Sequence, residues 1–167
     1  TELIEERKDQ VRLVTIAGPS SSGKTTTTQK IAYRLGQQNL RFVELNLDNY
    51  YYDLELHPKD EFGDYDFETP QALDIELINQ HLHQLLAGEE VLLPFYDFKT
   101  GKNYPDQTPM KLAEGDIILI DSLYGLYPPL TDGIADNKIN LYIEPLMQVK
   151  DDNGKYVRWT DIRLMRR

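Results

Sequence analysis

The chain has 167 residues, 40% of them hydrophobic, with no cysteine and a formal net charge of −10. That length supports one α/β domain with a real core, and the absence of cysteine excludes disulfides, thiolate catalysis and thiolate metal sites together. No apolar run approaches the roughly 18 residues needed to span a bilayer, and no basic-then-apolar secretory leader is present, so a soluble, cytoplasmic protein without membrane partners is expected.

The first ten residues (T-E-L-I-E-E-R-K-D-Q) have helical composition and are expected to pack loosely, without chemistry. Val11 to Ala17 then reads as a buried strand, rich in β-branched and aliphatic side chains. It runs into Gly18-Pro19-Ser20-Ser21-Ser22-Gly23-Lys24-Thr25, which fits the phosphate-binding pattern G-x-x-x-x-G-K-[ST]. A helix follows over Thr25 to Leu35, with Ile31, Ala32 and Leu35 on one face and Gly36 as its stop. This order of strand, loop and helix is the context that gives the pattern meaning. Gly18 and Gly23 let backbone NH groups converge on phosphate oxygens, Ser20, Ser21 and Ser22 leave room for a polyphosphate, and the helix presents its positive end to the same anion. Lys24 is placed to reach the terminal phosphates of a nucleotide and the Thr25 hydroxyl to complete a Mg²⁺ sphere, with Thr26 following in the first helical turn of the same nucleotide site.

Arg41 to Leu47 alternates as a second strand that delivers Asp48 to the carboxyl edge of the sheet, where open α/β folds place their ligands. There a carboxylate can take the proton of an attacking hydroxyl. Tyr52 to Glu68 has no clear period and reads as a long loop, functional or mobile. Thr69-Pro70 reads as the cap and first turn of a helix running to Gly88, with His81 and His83 as structural or solvent-facing residues. Glu90 to Phe98, interrupted by Pro94, is an edge strand or a strand leaving the sheet. Asp116 to Asp121 is a buried parallel strand ending in a carboxylate that can face the metal or its waters. Ile139 to Ile143 is a further strand, Asp152-Asn153-Gly154 a turn, and Thr160-Asp161 the cap of a last helix.

Charge is unevenly spread. Between Glu44 and Glu76 the only base is Lys59, whereas the segment from Lys150 onward is net basic. A short basic tail is no footprint for nucleic acid, and the acidic segment favours a neutral acceptor over one already bearing phosphate.

Taken in order, G-P-S-S-S-G-K-T-T, L-D-N-Y-Y, Y-D-F-E-T-P-Q-A-L-D, L-P-F-Y-D-F, I-L-I-D-S-L-Y-G-L and T-D-I-R-L-M-R-R resemble the uridine kinase and phosphoribulokinase group of P-loop kinases over nearly the whole chain. The resemblance implies a three-layer P-loop NTPase fold with a mainly parallel sheet, residues 1–167 forming one kinase domain, with the C-terminal lid beginning at 160–167 and cut short. It implies Mg²⁺-dependent transfer of the γ-phosphoryl of ATP to the 5′-hydroxyl of uridine or cytidine. By motif, Asp48 is the base, Lys24 and Arg163 assist transfer, Tyr51, Glu68, Tyr96 and Arg163 surround the acceptor, Arg167 belongs to the cationic lid over ATP, and Thr25 and Asp121 hold the metal. Bacterial relatives of this kind also occur fused to other domains, and a homo-oligomer is compatible with the pattern. The chain departs from the family at Glu68, usually aspartate, at Asp121-Ser122, usually glutamate-glycine, and at Lys99 to Asn103, where a histidine and an arginine usually help hold the base. Transfer to another acceptor, as in phosphoribulokinase or pantothenate kinase, and a non-catalytic ATP-sensing module therefore stand as alternatives. A switch-type NTPase is disfavoured, since no glutamine is placed to orient a hydrolytic water.

Overall fold

A computed structural model describes residues 2–7, 10–134, 137–144, 149–158 and 161. Its framework is a four-stranded parallel sheet in the order β2-β5-β1-β6: β1 is Leu13–Ala17, β2 Phe42–Glu44, β5 Ile117–Asp121 and β6 Lys138–Tyr142. All five residues of β1 are buried, as a strand covered on both faces must be. Alternation along the strands then feeds two separate cores. Leu13, Ile118 and Ile120 join Leu82, Leu85 and Leu130 on one face, where helix α3 (Ile75–Leu86) packs. Val14, Ile16, Ile117, Leu119 and Ile139 meet Leu35 of helix α2 (Lys24–Gly36) on the other. The result is the expected three-layer α/β arrangement with β1 inside the sheet.

The leading helix α1 (Glu2–Glu6) is less loose than its composition suggests. Ile4 is 2% exposed and belongs to the α2-side core.

Several boundaries move for local reasons. Strand β2 stops at Glu44 rather than running to Leu47, because the Asn46 carboxamide accepts the Asp48 N–H at 2.9 Å and starts a 3₁₀ turn over Leu47–Tyr50. The helix expected from Thr69 begins at Ile75. Thr69 makes no side-chain cap, Pro70–Ala72 forms one 3₁₀ turn, and Asp74 caps α3 by accepting the Leu77 N–H at 2.9 Å.

Strand β3 (Val91–Asp97) does sit outside the main sheet, and its register breaks between Leu93 and Phe95, at Pro94. Its antiparallel partner β4 (Lys102–Met110) is an element that sequence reading misses. Farther on, the turn at Asp152–Gly154 forms as expected, with Asp151 Oδ1 accepting the N–H groups of Asn153 and Lys155. The expected helix after Thr160 lies, apart from Asp161, outside the described residues. Among the described residues no helix is long and apolar enough to cross a membrane.

One buried charge ties the strand beginnings together. The Asp116 side chain, 3% exposed, accepts from Arg41 Nε at 2.7 Å, from Arg41 Nη2 and from the Ala113 N–H at 2.7 Å, while Arg12 Nε donates to the Asp116 carbonyl at 3.2 Å. The Arg41 hydrogen bond, above all, holds this carboxyl below its ordinary range. Replacing Asp116 with Ala should therefore destabilise the fold by about 1.5–3 kcal/mol, the scale of a hydrogen bond to a charged group, read as a lower denaturation midpoint. Its lowered pKa fixes the sign of the pH effect: the contribution is present at neutral pH and lost only as pH falls through the lowered value, so wild type and variant should converge in strong acid.

Candidate active site

The chain leaves β1 at Gly18 under a steric constraint. A Cβ there would lie 2.1 Å from the Ile143 carbonyl oxygen, so the loop can pass β6 only as glycine. It then turns through Ser21 (φ 60°) and Gly23 (φ 95°), both left-handed, and enters α2 with no side chain capping the helix. Leaving these N–H groups without a side-chain cap, with the positive end of the helix behind them, builds an anion cradle from backbone alone. Lys24 folds back over it, Nζ donating to the Pro19 carbonyl at 3.1 Å. The Ser22 hydroxyl is buried beneath the loop without a partner.

Parallel pairing sets Ile16 opposite Asp121, so the carboxylate ending β5 emerges beside the loop. Thr25 Oγ1 donates to Asp121 Oδ2 at 2.9 Å. Two hard oxygen donors thus lie side by side where the phosphate cradle opens, a donor set suited to Mg²⁺. Asp48, on its 3₁₀ turn, faces them across a cleft of ≈ 210 Å³ whose walls include Lys24, Thr25, Tyr51, Asp121 and Tyr124. Burial first, and the Asp121 charge second, raise the Asp48 carboxyl above its ordinary value.

The far wall is aromatic. Tyr51 and Tyr124 both donate their hydroxyls, at 3.1 Å each, to one carbonyl, that of Phe67. Glu68 follows it, exposed, with its N–H on Asp66 Oδ1 at 2.8 Å. Burial and the carboxylates Asp66, Glu68 and Asp48 push the Tyr124 hydroxyl up to about 12; burial, then Asp48, raises Tyr51 as well. Tyr96 packs edge-on against Tyr51 at 5.5 Å, and its buried hydroxyl has no partner.

The structure therefore gathers Lys24, Thr25, Asp48, Tyr51 and Asp121 around one cleft, with Tyr96 packed behind Tyr51. Thr26, exposed in the same helical turn, instead lines a groove along α2 with Lys30 and Arg34. Arg163 and Arg167 lie outside the described residues. Tyr124 is the wall residue that sequence reading misses, although its place three residues after the carboxylate of an apolar strand was the available signal. The histidines stay off the cleft: His57 Nε2 bonds the Tyr52 carbonyl, His81 Nδ1 the Tyr50 hydroxyl and His83 Nε2 the Asp132 carbonyl.

Comparison with known proteins bears on the family and the fold. Residues 13–151 match the Phosphoribulokinase / Uridine kinase family. A uridine kinase from Chloroflexus aurantiacus is 36% identical over 71% of this chain and 54% of its own length. One from Schizosaccharomyces pombe is 33% identical over 79% of this chain and 29% of its own. The chain thus spans about half the length of the bacterial relative it matches. Among solved structures, a possible uridine kinase from Bacillus stearothermophilus shares the fold with a TM-score of 0.60 at 21% identity, over 99% of this chain and 93% of that one. The chain belongs to the Phosphoribulokinase / Uridine kinase family.

Proposed function

We propose that the chain carries out ATP-dependent phosphorylation of a small neutral alcohol in the cytoplasm, the 5′-hydroxyl of uridine or cytidine being the preferred acceptor. One observation supports this most: Asp48 and the Thr25–Asp121 pair share a single cleft at the mouth of the phosphate cradle. A hydroxyl nucleophile, a proton acceptor and a terminal phosphate can meet there.

The loop amides from Ser20 to Thr25 and the Lys24 ammonium bind and orient the β- and γ-phosphates. Thr25 and Asp121 would hold a Mg²⁺ ion, which when bound neutralises charge on the phosphate oxygens. The Asp48 carboxylate accepts the acceptor's hydroxyl proton as that oxygen bonds to the γ-phosphorus; the bond to the β–γ bridging oxygen breaks, and ADP leaves. A base with a raised pKa holds that proton more firmly. Tyr51, Tyr96, Tyr124 and Glu68 supply the acceptor wall, with Arg163 and Arg167 assigned by motif to the transferring phosphate and the lid. The acidic surroundings Asp48, Asp66, Glu68 and Asp121 disfavour an acceptor that already carries phosphate.

ADP formation from MgATP should depend on added uridine or cytidine and be far weaker with ribulose 5-phosphate or pantothenate. Nucleotide binding with no acceptor-dependent turnover would instead establish an ATP-sensing module. Asp48→Asn should lower the transfer rate about 10²–10⁴-fold, the usual worth of a general base, while calorimetric ATP affinity stays near wild type. Because the carboxylate is the working form and its pKa is raised, kcat should fall on the acid side with a limb above the ordinary carboxylate range. Gly18→Ala should abolish ATP binding, since its methyl would have to displace the Ile143 carbonyl.

A further inference from the structure

The turn that carries Asp48 is a short four-residue 3₁₀ segment, entered by a long backbone bond from the Asn49 N–H to the Asn46 carbonyl at 3.4 Å. Side chains add to its hold. On the sheet side the Asn46 carboxamide grips the Asp48 N–H. On the opposite side stands the β3–β4 hairpin, where Tyr96 and Asn103 are directly paired.

The half-buried Asn103 side chain spends both hydrogens of its amide on this turn. Nδ2 donates to the Tyr51 carbonyl at 2.7 Å and to the Asn49 carbonyl at 2.9 Å, the two carbonyls that flank Tyr50. Asn49 answers by accepting the Tyr96 N–H on Oδ1 at 3.5 Å. Below the lock, Asp53 Oδ1 accepts the Asn103 N–H at 2.8 Å, Asp53 Oδ2 accepts Lys102 Nζ at 3.0 Å, and the Gly101 carbonyl accepts the Leu54 N–H at 2.8 Å. Within the Lys99 to Asn103 stretch, where the family resemblance leads one to expect base-holding residues, Lys102 thus pairs with Asp53 and Glu55 and Asn103 with the protein's own backbone.

We propose that Asn103 is a positioning residue for phosphoryl transfer: by bridging the Asn49 and Tyr51 carbonyls it fixes the Asp48 turn to the hairpin that carries Tyr96. This rests on the kinase reading above, in which Asp48 is the base. Only a side chain with two hydrogens on one terminal atom, at this length, spans both carbonyls; aspartate would set a negative charge against them. Its role is to keep base and acceptor wall in one register, and an ångström of drift between such groups costs up to about 100-fold in rate.

The test compares Asn103→Ala, Asn103→Asp and Asn103→Ser with wild type, each also combined with Asp48→Asn. Asn103→Ala and Asn103→Asp should lower kcat about 10–100-fold to the same extent for uridine and cytidine, with the KM for ATP within about twofold. Amide hydrogen exchange over residues 48–54 should quicken. In the Asp48→Asn background the same changes should add nothing, because the base they position is already gone. The milder Asn103→Ser keeps one donor and should fall between, which keeps the test available if the alanine variant does not fold. A lower melting temperature with kcat unchanged, a loss that depends on which nucleoside is offered, or a full additional loss without the Asp48 carboxylate would each overturn the proposal. Hydrogen exchange reads the lock without turnover: unchanged exchange overturns it, whereas quickened exchange in a protein whose wild type phosphorylates no acceptor condemns the kinase reading and leaves the lock standing.

Discussion

The arrangement depends on β1 lying between two parallel neighbours. Parallel ladders send strand ends out at the same edge, so the chain after Ala17, after Asp121 and after Tyr142 emerges at one place. The ladder continues past the strands, with the Ser122 N–H on the Ile16 carbonyl and the Ile143 N–H on the Ala17 carbonyl at 2.8 Å. The second of these bonds brings the Ile143 carbonyl against Gly18 and forces a residue without a side chain there. Phosphate cradle, facing carboxylate and close approach of β6 are consequences of one strand order, which is why ligands gather at this edge in open α/β sheets.

What was legible in the sequence is what short stretches specify alone. Strand β1, the loop to Thr25 and the carboxylate closing an apolar strand at Asp121 are each written in consecutive residues. Strand β4 is not, because K-N-Y-P-D-Q-T-P-M carries two prolines and is mostly exposed; it becomes a strand only by pairing with β3. The cap of α3 lies at Asp74 rather than Thr69 for a similar reason. Leu73 is held extended by its bridge to Tyr51 and Asp74 donates its N–H to the Tyr50 carbonyl, so the helix waits until those contacts are made. Tyr124 was missed because its function as a wall comes from the Phe67 carbonyl, 57 positions away along the chain.

Electrostatics divides the cleft. On one side lie the helix terminus, the loop amides and Lys24; on the other lies Asp48, with Asp66 and Glu68 near enough to help suppress ionisation of the Tyr124 hydroxyl. In the proposed kinase reading a polyphosphate is drawn to the first side and an uncharged polyol is tolerated by the second. Burial raises Asp48 and Tyr51 alike, and Tyr51 is itself packed against Phe67 and Tyr96.

The most direct measurement is a crystal structure of the chain with a non-hydrolysable ATP analogue, Mg²⁺ and uridine. The β- and γ-phosphates should lie on the amides from Ser20 to Thr25 with the metal at Thr25 and Asp121, and the 5′-hydroxyl should sit within hydrogen-bond reach of Asp48. A nucleotide bound elsewhere, or an acceptor hydroxyl remote from Asp48 with the phosphates in the cradle, would contradict the account.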